Sequence, residues 1–169
     1  MEPGKRARLV YLPAGCGWYD FWSCDYYHGG QDILLPAPWD RPPLLAREGC
    51  AIPLNVAEQH FSKAADQRGF CIFPHRTEGE FKYECFEDDG ESEGYRHGHY
   101  WTWRLQIKAS RFDLFVKIER EGVGYPKAGQ ISLLFPRQET RRIDVLGGTV
   151  LADALGVINR ELLVALDHP

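Results

Sequence analysis

From Trp101 to Ile107 a large apolar residue occupies every second position: Trp101, Trp103, Leu105 and Ile107, with Thr102, Arg104 and Gln106 between them. A helix would return a side chain to the same face every 3.6 residues, whereas a strand throws successive side chains to opposite faces, so this spacing demands a half-buried strand. Phe112, Leu114, Val116 and Ile118 repeat the pattern against Asp113, Lys117 and Glu119, with Phe115 the single exception on the outer face. Shorter runs at Gly69 to Phe73, Phe81 to Phe86, Ile131 to Phe135, Ile143 to Leu146 and Glu161 to Leu166 have strand length. No long helical pattern separates them. The 17 glycines and 11 prolines supply the turns that so many short strands require, and the expected fold class is all-β, an antiparallel β-sandwich.

The first third follows the same grammar with less alternation. Leu9 to Leu12, Trp18 to Trp22, Ile33 to Leu35, Leu44 to Ala46 and Ala51 to Leu54 are strand-sized runs divided by Gly and Pro. A polar stretch follows in which Phe61 is the one large apolar residue, so three segments are expected: a first β unit over 1–56, a linker over 57–67 and a second β unit over 68–169. Within Leu151 to Leu166, Leu155, Ile158 and Leu162 have spacings that a helix would accept. Gly156 and the β-branched Val157 and Ile158 favour strand.

Charge and cysteine content narrow the function classes. Twenty basic and 24 acidic residues, mixed along the chain, give a net charge of -4, which argues against a nucleic-acid partner. No apolar run approaches the roughly 20 residues of a membrane helix, so no membrane partner is expected. Cys16, Cys24, Cys50, Cys71 and Cys85 are odd in number and unevenly spaced. They read as reduced thiols rather than a disulfide framework or zinc site, which favours the cytoplasm.

Several residues invite a chemical role as well as a structural one. Glu87, Asp88, Asp89, Glu91 and Glu93 are rich in carboxylates but lack the alternating spacing of a Ca²⁺ loop, and Asp89-Gly90 is a turn signal, so a solvated turn is expected. His97 and His99 would share a strand face, but zinc wants three or four ligands and no third stands nearby. No local signature singles out a Cys and His nucleophile pair. Trp101 and Trp103 belong to the core face. Trp39, between Pro38 and Asp40 in a Pro-rich loop, is the residue for a surface carbohydrate contact.

Two blocks carry a family resemblance. The first comprises Val10-Tyr11-Leu12-Pro13-Ala14-Gly15, Trp18-Tyr19-Asp20-Phe21-Trp22, Gly29-Gly30-Gln31, Ala37-Pro38, and Arg47-Glu48-Gly49 with Ile52-Pro53-Leu54. The second is Phe86-Glu87-Asp88-Asp89-Gly90, followed by Tyr95, Gly98 and Tyr100. Together they resemble the region that follows the catalytic barrel in the family thirty-one glycoside hydrolases of α-glucosidase and α-xylosidase type. Leu45-Ala46 and Cys50 depart from the usual residues but conserve size or apolarity.

The resemblance implies that 1–56 is a partial proximal sandwich and 68–169 a distal one. It implies a parent that hydrolyses α-linked glucosides or xylosides with retention at the mouth of a (β/α)₈ barrel. The family's nucleophile block, of the WxDMNE type, does not occur here, so no catalytic residue, cofactor or metal ligand is carried over, and the chain alone is expected not to be an enzyme. The implied role is structural support, with the parent's barrel as partner. Glu2-Pro3-Gly4 resembles a turn that follows a further strand in the family, so self-association through an exposed sheet edge is also expected. The alternatives are a carbohydrate-binding module acting on its own and a protein-interaction domain.

Overall fold

In the computed structural model, which describes residues 6–55, 67–122 and 129–167, the alternating segments become strands of two facing sheets. The chain divides into two compact units, one ending at Glu48 and one starting at Gly49. The first holds β1 (Ala7–Leu12), β2 (Gly17–Asp20), β3 (Tyr26–His28), β4 (Gln31–Pro36) and β5 (Leu45–Arg47). β1 pairs with β4, and β2 lies between β3 and β5, all antiparallel. Leu12, Tyr19, Cys24, Leu35 and Ala46 are its buried apolar residues.

The second unit contains β6 (Cys50–Asn55), β7 (Gln67–Phe73), β8 (Gly79–Glu87), β9 (Trp101–Ala109) and β10 (Asp113–Gly122). It continues with β11 (Gln130–Pro136), β12 (Arg142–Leu146), β13 (Gly148–Leu155) and β14 (Asn159–Leu166). One sheet has the order β12-β10-β9-β8 and the other β13-β14-β11-β7-β6. Trp101, Trp103, Leu105, Ile107, Leu114, Val116 and Ile118 from the first meet Phe70, Ile72, Ile131, Leu133, Phe135, Leu162 and Val164 from the second in one core. Phe70 packs edge-on against Trp103 at 5.7 Å between ring centroids, which joins the two sheets directly.

The structure departs from the sequence expectations in identifiable ways. Two pairings are parallel, β7 with β11 and β10 with β12. After β7 the chain crosses to the other sheet for β8 to β10, and its return as β11 lands beside β7 in the same direction. Cys50–Asn55, expected in the first unit, pairs with β7 in the second. The chain bends at Gly49, whose φ of +77° an L side chain rarely adopts. Phe112 is not on the core face; it precedes β10 and is exposed, with the Arg111 guanidinium 5.0 Å from its ring centroid. The stretch from Leu151 to Leu166 is strand, as expected, but divided between β13 and β14 by a turn in which Gly156 N–H donates to Asn159 O at 2.8 Å. The strand expected over Trp18 to Trp22 ends at Asp20, and β3 corresponds to none of the expected runs. The expected linker, apart from Gln67, and the turn at Glu2-Pro3-Gly4 lie outside the described residues.

Candidate functional site

In an antiparallel pair, residues directly opposite one another project to the same face. In β1 and β4 the register sets Leu9 against Leu34, with Ala7 against Pro36 and Tyr11 against Asp32 on the same side. Leu9 and Leu34 are each 70% exposed and Tyr11 is 60% exposed. The opposite face carries Leu12 and Leu35, both buried. This two-stranded sheet is therefore apolar on both sides and covered on one.

Two carboxylates hold the neighbouring strands, and nothing in the sequence around them signals that role. Asp20, buried at the end of β2, accepts hydrogen bonds from the backbone N–H groups of Trp22 at 2.8 Å and Ser23 at 2.9 Å. That cap turns the chain toward Cys24, which sits at φ 60° and donates its N–H to Asp20 O. One Glu48 oxygen accepts from Gly17 N–H at 3.0 Å and from the Tyr26 hydroxyl at 2.9 Å. A Cβ at position 17 would overlap the Tyr26 hydroxyl, so only glycine fits there. Asp20 thus orders the turn after β2, and Glu48 ties Gly17 to Tyr26.

The residues nominated from sequence fall as follows. Asp88 accepts from Gly90 N–H at 2.9 Å; Asp89 accepts from Glu91 N–H at 3.2 Å and Ser92 N–H at 3.0 Å, and the Ser92 hydroxyl donates to it as well. The Ser92 hydroxyl bond, followed by the backbone donors, holds the Asp89 carboxyl below its usual pKa. Gly90 has φ +65°, so the cluster forms a turn, within a long connection that includes a short 3₁₀ turn at Gly94–His97. Glu87 points the other way: one oxygen accepts from the Trp103 indole N–H at 2.9 Å and the other pairs with Arg68. These groups, with Pro53, Leu54 and Phe70, line a groove of about 410 Å³.

His97 and His99 are exposed in the connection after the turn. Among the described residues no cluster of three or more His, Cys, Asp or Glu side chains could hold a metal ion. All five cysteines are thiols, none of them joined in a disulfide. Burial pushes the Cys85 thiol up, and burial together with the neighbouring Cys85 pushes Tyr83 up to about 12, so both keep their protons at neutral pH. Trp101 and Trp103 are 5% and 1% exposed, core residues as expected. Trp39 stands in the loop between β4 and β5, 79% exposed.

Residues 1–52 match the family described as glycosyl hydrolase family 31 C-terminal domain. The chain is 25% identical over 126 residues to alpha-glucosidase 2 of Bacillus thermoamyloliquefaciens, covering 75% of this chain and 16% of that protein. It is 34% identical over 110 residues to an alpha-xylosidase of Saccharolobus solfataricus, covering 60% of this chain and 14% of that one. In fold it is similar to a family 31 dextranase of Flavobacterium johnsoniae, with a TM-score of 0.68 at 24% identity over 97% of this chain and 23% of the dextranase. The match to the C-terminal domain of glycosyl hydrolase family 31 thus lies in the first third of the chain, and the chain spans only 16% and 14% of the length of the two relatives matched by sequence. No helix among the described residues is long and apolar enough to cross a membrane.

Proposed function

We propose that this chain is the non-catalytic C-terminal support of a family 31 α-glycosidase, a retaining enzyme acting on α-linked glucosides or xylosides. The two units then correspond to its proximal and distal sandwiches, and the partner is the parent's catalytic barrel. The observation that carries this reading is the uncovered face of β1 and β4, where Leu9, Tyr11 and Leu34 stand in water on the side opposite a buried face. Covering about 300 Å² of apolar surface at roughly 25 cal/mol per Å² is worth about 7 kcal/mol before the costs of association. That face would be one contribution, among others, to holding the module on the barrel. Retaining hydrolysis needs two carboxylates about 5 Å apart across a sugar. Asp20 is committed to backbone N–H groups, Glu48 to Gly17 N–H and the Tyr26 hydroxyl, and Asp88 and Asp89 to a turn, so on this reading the chemistry belongs to the barrel.

The test is coexpression of this chain with a family 31 α-glucosidase barrel that lacks its own C-terminal region. The two should copurify, and hydrolysis of nitrophenyl α-glucoside or α-xyloside should appear only in the complex. Leu9→Lys with Leu34→Lys should abolish copurification while leaving the circular dichroism of the isolated chain unchanged. Hydrolysis by the chain alone, or copurification undisturbed by the double substitution, overturns the reading.

A further inference from the structure

The loop from Pro36 to Leu44 is tethered at both ends. Ala37 N–H donates to Arg6 O at 2.7 Å on one arm; on the other, the Trp22 indole donates to Pro42 O at 2.7 Å and Phe21 N–H to Leu44 O at 2.9 Å. At its apex Arg41 N–H donates to Pro38 O at 3.3 Å, closing a turn whose two central residues are Trp39 and Asp40. Pro36, Pro38, Pro42 and Pro43 fix φ along the loop and reduce the freedom it would lose on binding. The result is an indole held out on a braced support. Among the described residues no other aromatic side chain is so open: Trp39 is 79% exposed and Phe112, the next, 69%.

Three occupants could use a bare ring. A polypeptide hot spot sits within a ring of other contacts that excludes water, whereas Trp39 is followed directly by the exposed, charged Asp40 and Arg41. A nucleobase would stack on indole, but a chain of net charge -4 with no basic stripe repels the polyanion that carries it. A pyranose has the matching chemistry. Its C–H face is apolar and lies flat on an indole, while its hydroxyl rim wants acceptors and donors such as a carboxylate and a guanidinium beside the ring. We infer that the Trp39 turn is a sugar-stacking site, with Asp40 and Arg41 as hydrogen-bonding neighbours, and that its ligand is an exposed segment of an α-linked glucan. The α-linkage rests on the proposed function; the stacking site does not.

The experiment is saturation-transfer NMR and tryptophan fluorescence on the 169-residue chain with maltohexaose. Binding is expected near a millimolar Kd, the range of a single stacking platform. Trp39→Ala should weaken it tenfold or more, Trp39→Tyr only a few-fold, and Asp40→Ala a few-fold. Since the side chain is exposed, none of these changes should shift the melting temperature. No saturation transfer at about 10 mM maltohexaose, or equal transfer from Trp39→Ala, overturns the site. Sugar binding without barrel copurification would sink the support role alone, and copurification without sugar binding would sink this site alone.

Discussion

Replacing Arg141 should destabilise the second unit more than the loss of any of its solvent-facing ion pairs, because of what the substitution strands. Arg141 lies in the connection between β11 and β12 with its side chain 10% exposed, and its partner Glu139 is 7% exposed. Its guanidinium donates to both Glu139 oxygens, at 2.8 Å and 2.5 Å. It also donates to His75 O at 3.0 Å, Ser110 O at 3.1 Å and Thr77 O at 3.3 Å, so one side chain ties three connections at one end of the sandwich. Arg160 joins the cluster by donating to Arg141 O at 2.8 Å. Arg141→Met leaves Glu139 buried without its counter-charge, a loss of about 3 to 5 kcal/mol. With a urea slope of about 2 kcal/mol per molar, the unfolding midpoint should fall by roughly 2 M. Arg141→Lys keeps the charge but not the planar fork, and should fall between. The decisive variant is Arg141→Met with Glu139→Leu, which removes both charges and should recover much of the loss. A single variant within about 0.3 M of the parent, or a double variant no more stable than the single, would refute the reasoning.

Three further outcomes follow from the same geometry. Trp101→Ala and Trp103→Ala should each cost about 3 to 5 kcal/mol in thermal or urea melts, since both rings fill the core and Trp103 also donates to Glu87. Gly79→Ala should destabilise by about 1 to 3 kcal/mol, because the new Cβ would meet the His75 ring at 2.5 Å; adding His75→Ala should relieve part of that loss. Hydrogen bonding from Arg160 holds the Asp153 carboxyl below the ordinary range of an aspartate. A depressed carboxylate contributes stability above its unfolded pKa and loses it as pH falls through the folded one. Asp153→Asn should therefore be less stable than the parent at neutral pH, by under about 1 kcal/mol given the solvent screening of a half-exposed side chain, and the two urea midpoints should converge below the folded pKa.

What could be read from the sequence was whatever one strand records about its own two faces. β9 and β10 alternate because one side is core and the other carries solvent-facing pairs such as Arg104 with Glu84 and Glu121, so strand, core face and buried tryptophans were all legible. β13 was not, because it is exposed along nearly its whole length and lies at a sheet edge, where neither face enforces alternation. Nor does a strand's own pattern say which strand lies beside it, and the two parallel pairings arise from crossovers between sheets. The same blindness hid the Arg141 cluster: its carbonyl partners lie 31 to 66 residues away, and the polar run Arg137-Gln138-Glu139-Thr140-Arg141-Arg142 looks like an ordinary loop.

The two units finish their outer faces differently. On β9 the outward positions hold Thr102, Arg104, Gln106 and Lys108, with Arg104 and Gln106 paired across the strands, so that face is built to meet water. On β1 and β4 the corresponding positions hold Leu9, Tyr11 and Leu34, and Asp32 is the only acidic or basic residue among them. A strand covered on both sides reads as a continuous apolar run. Val10-Tyr11-Leu12 and Ile33-Leu34-Leu35 are such runs. On the proposed reading, the parent's barrel is the cover for this face of β1 and β4.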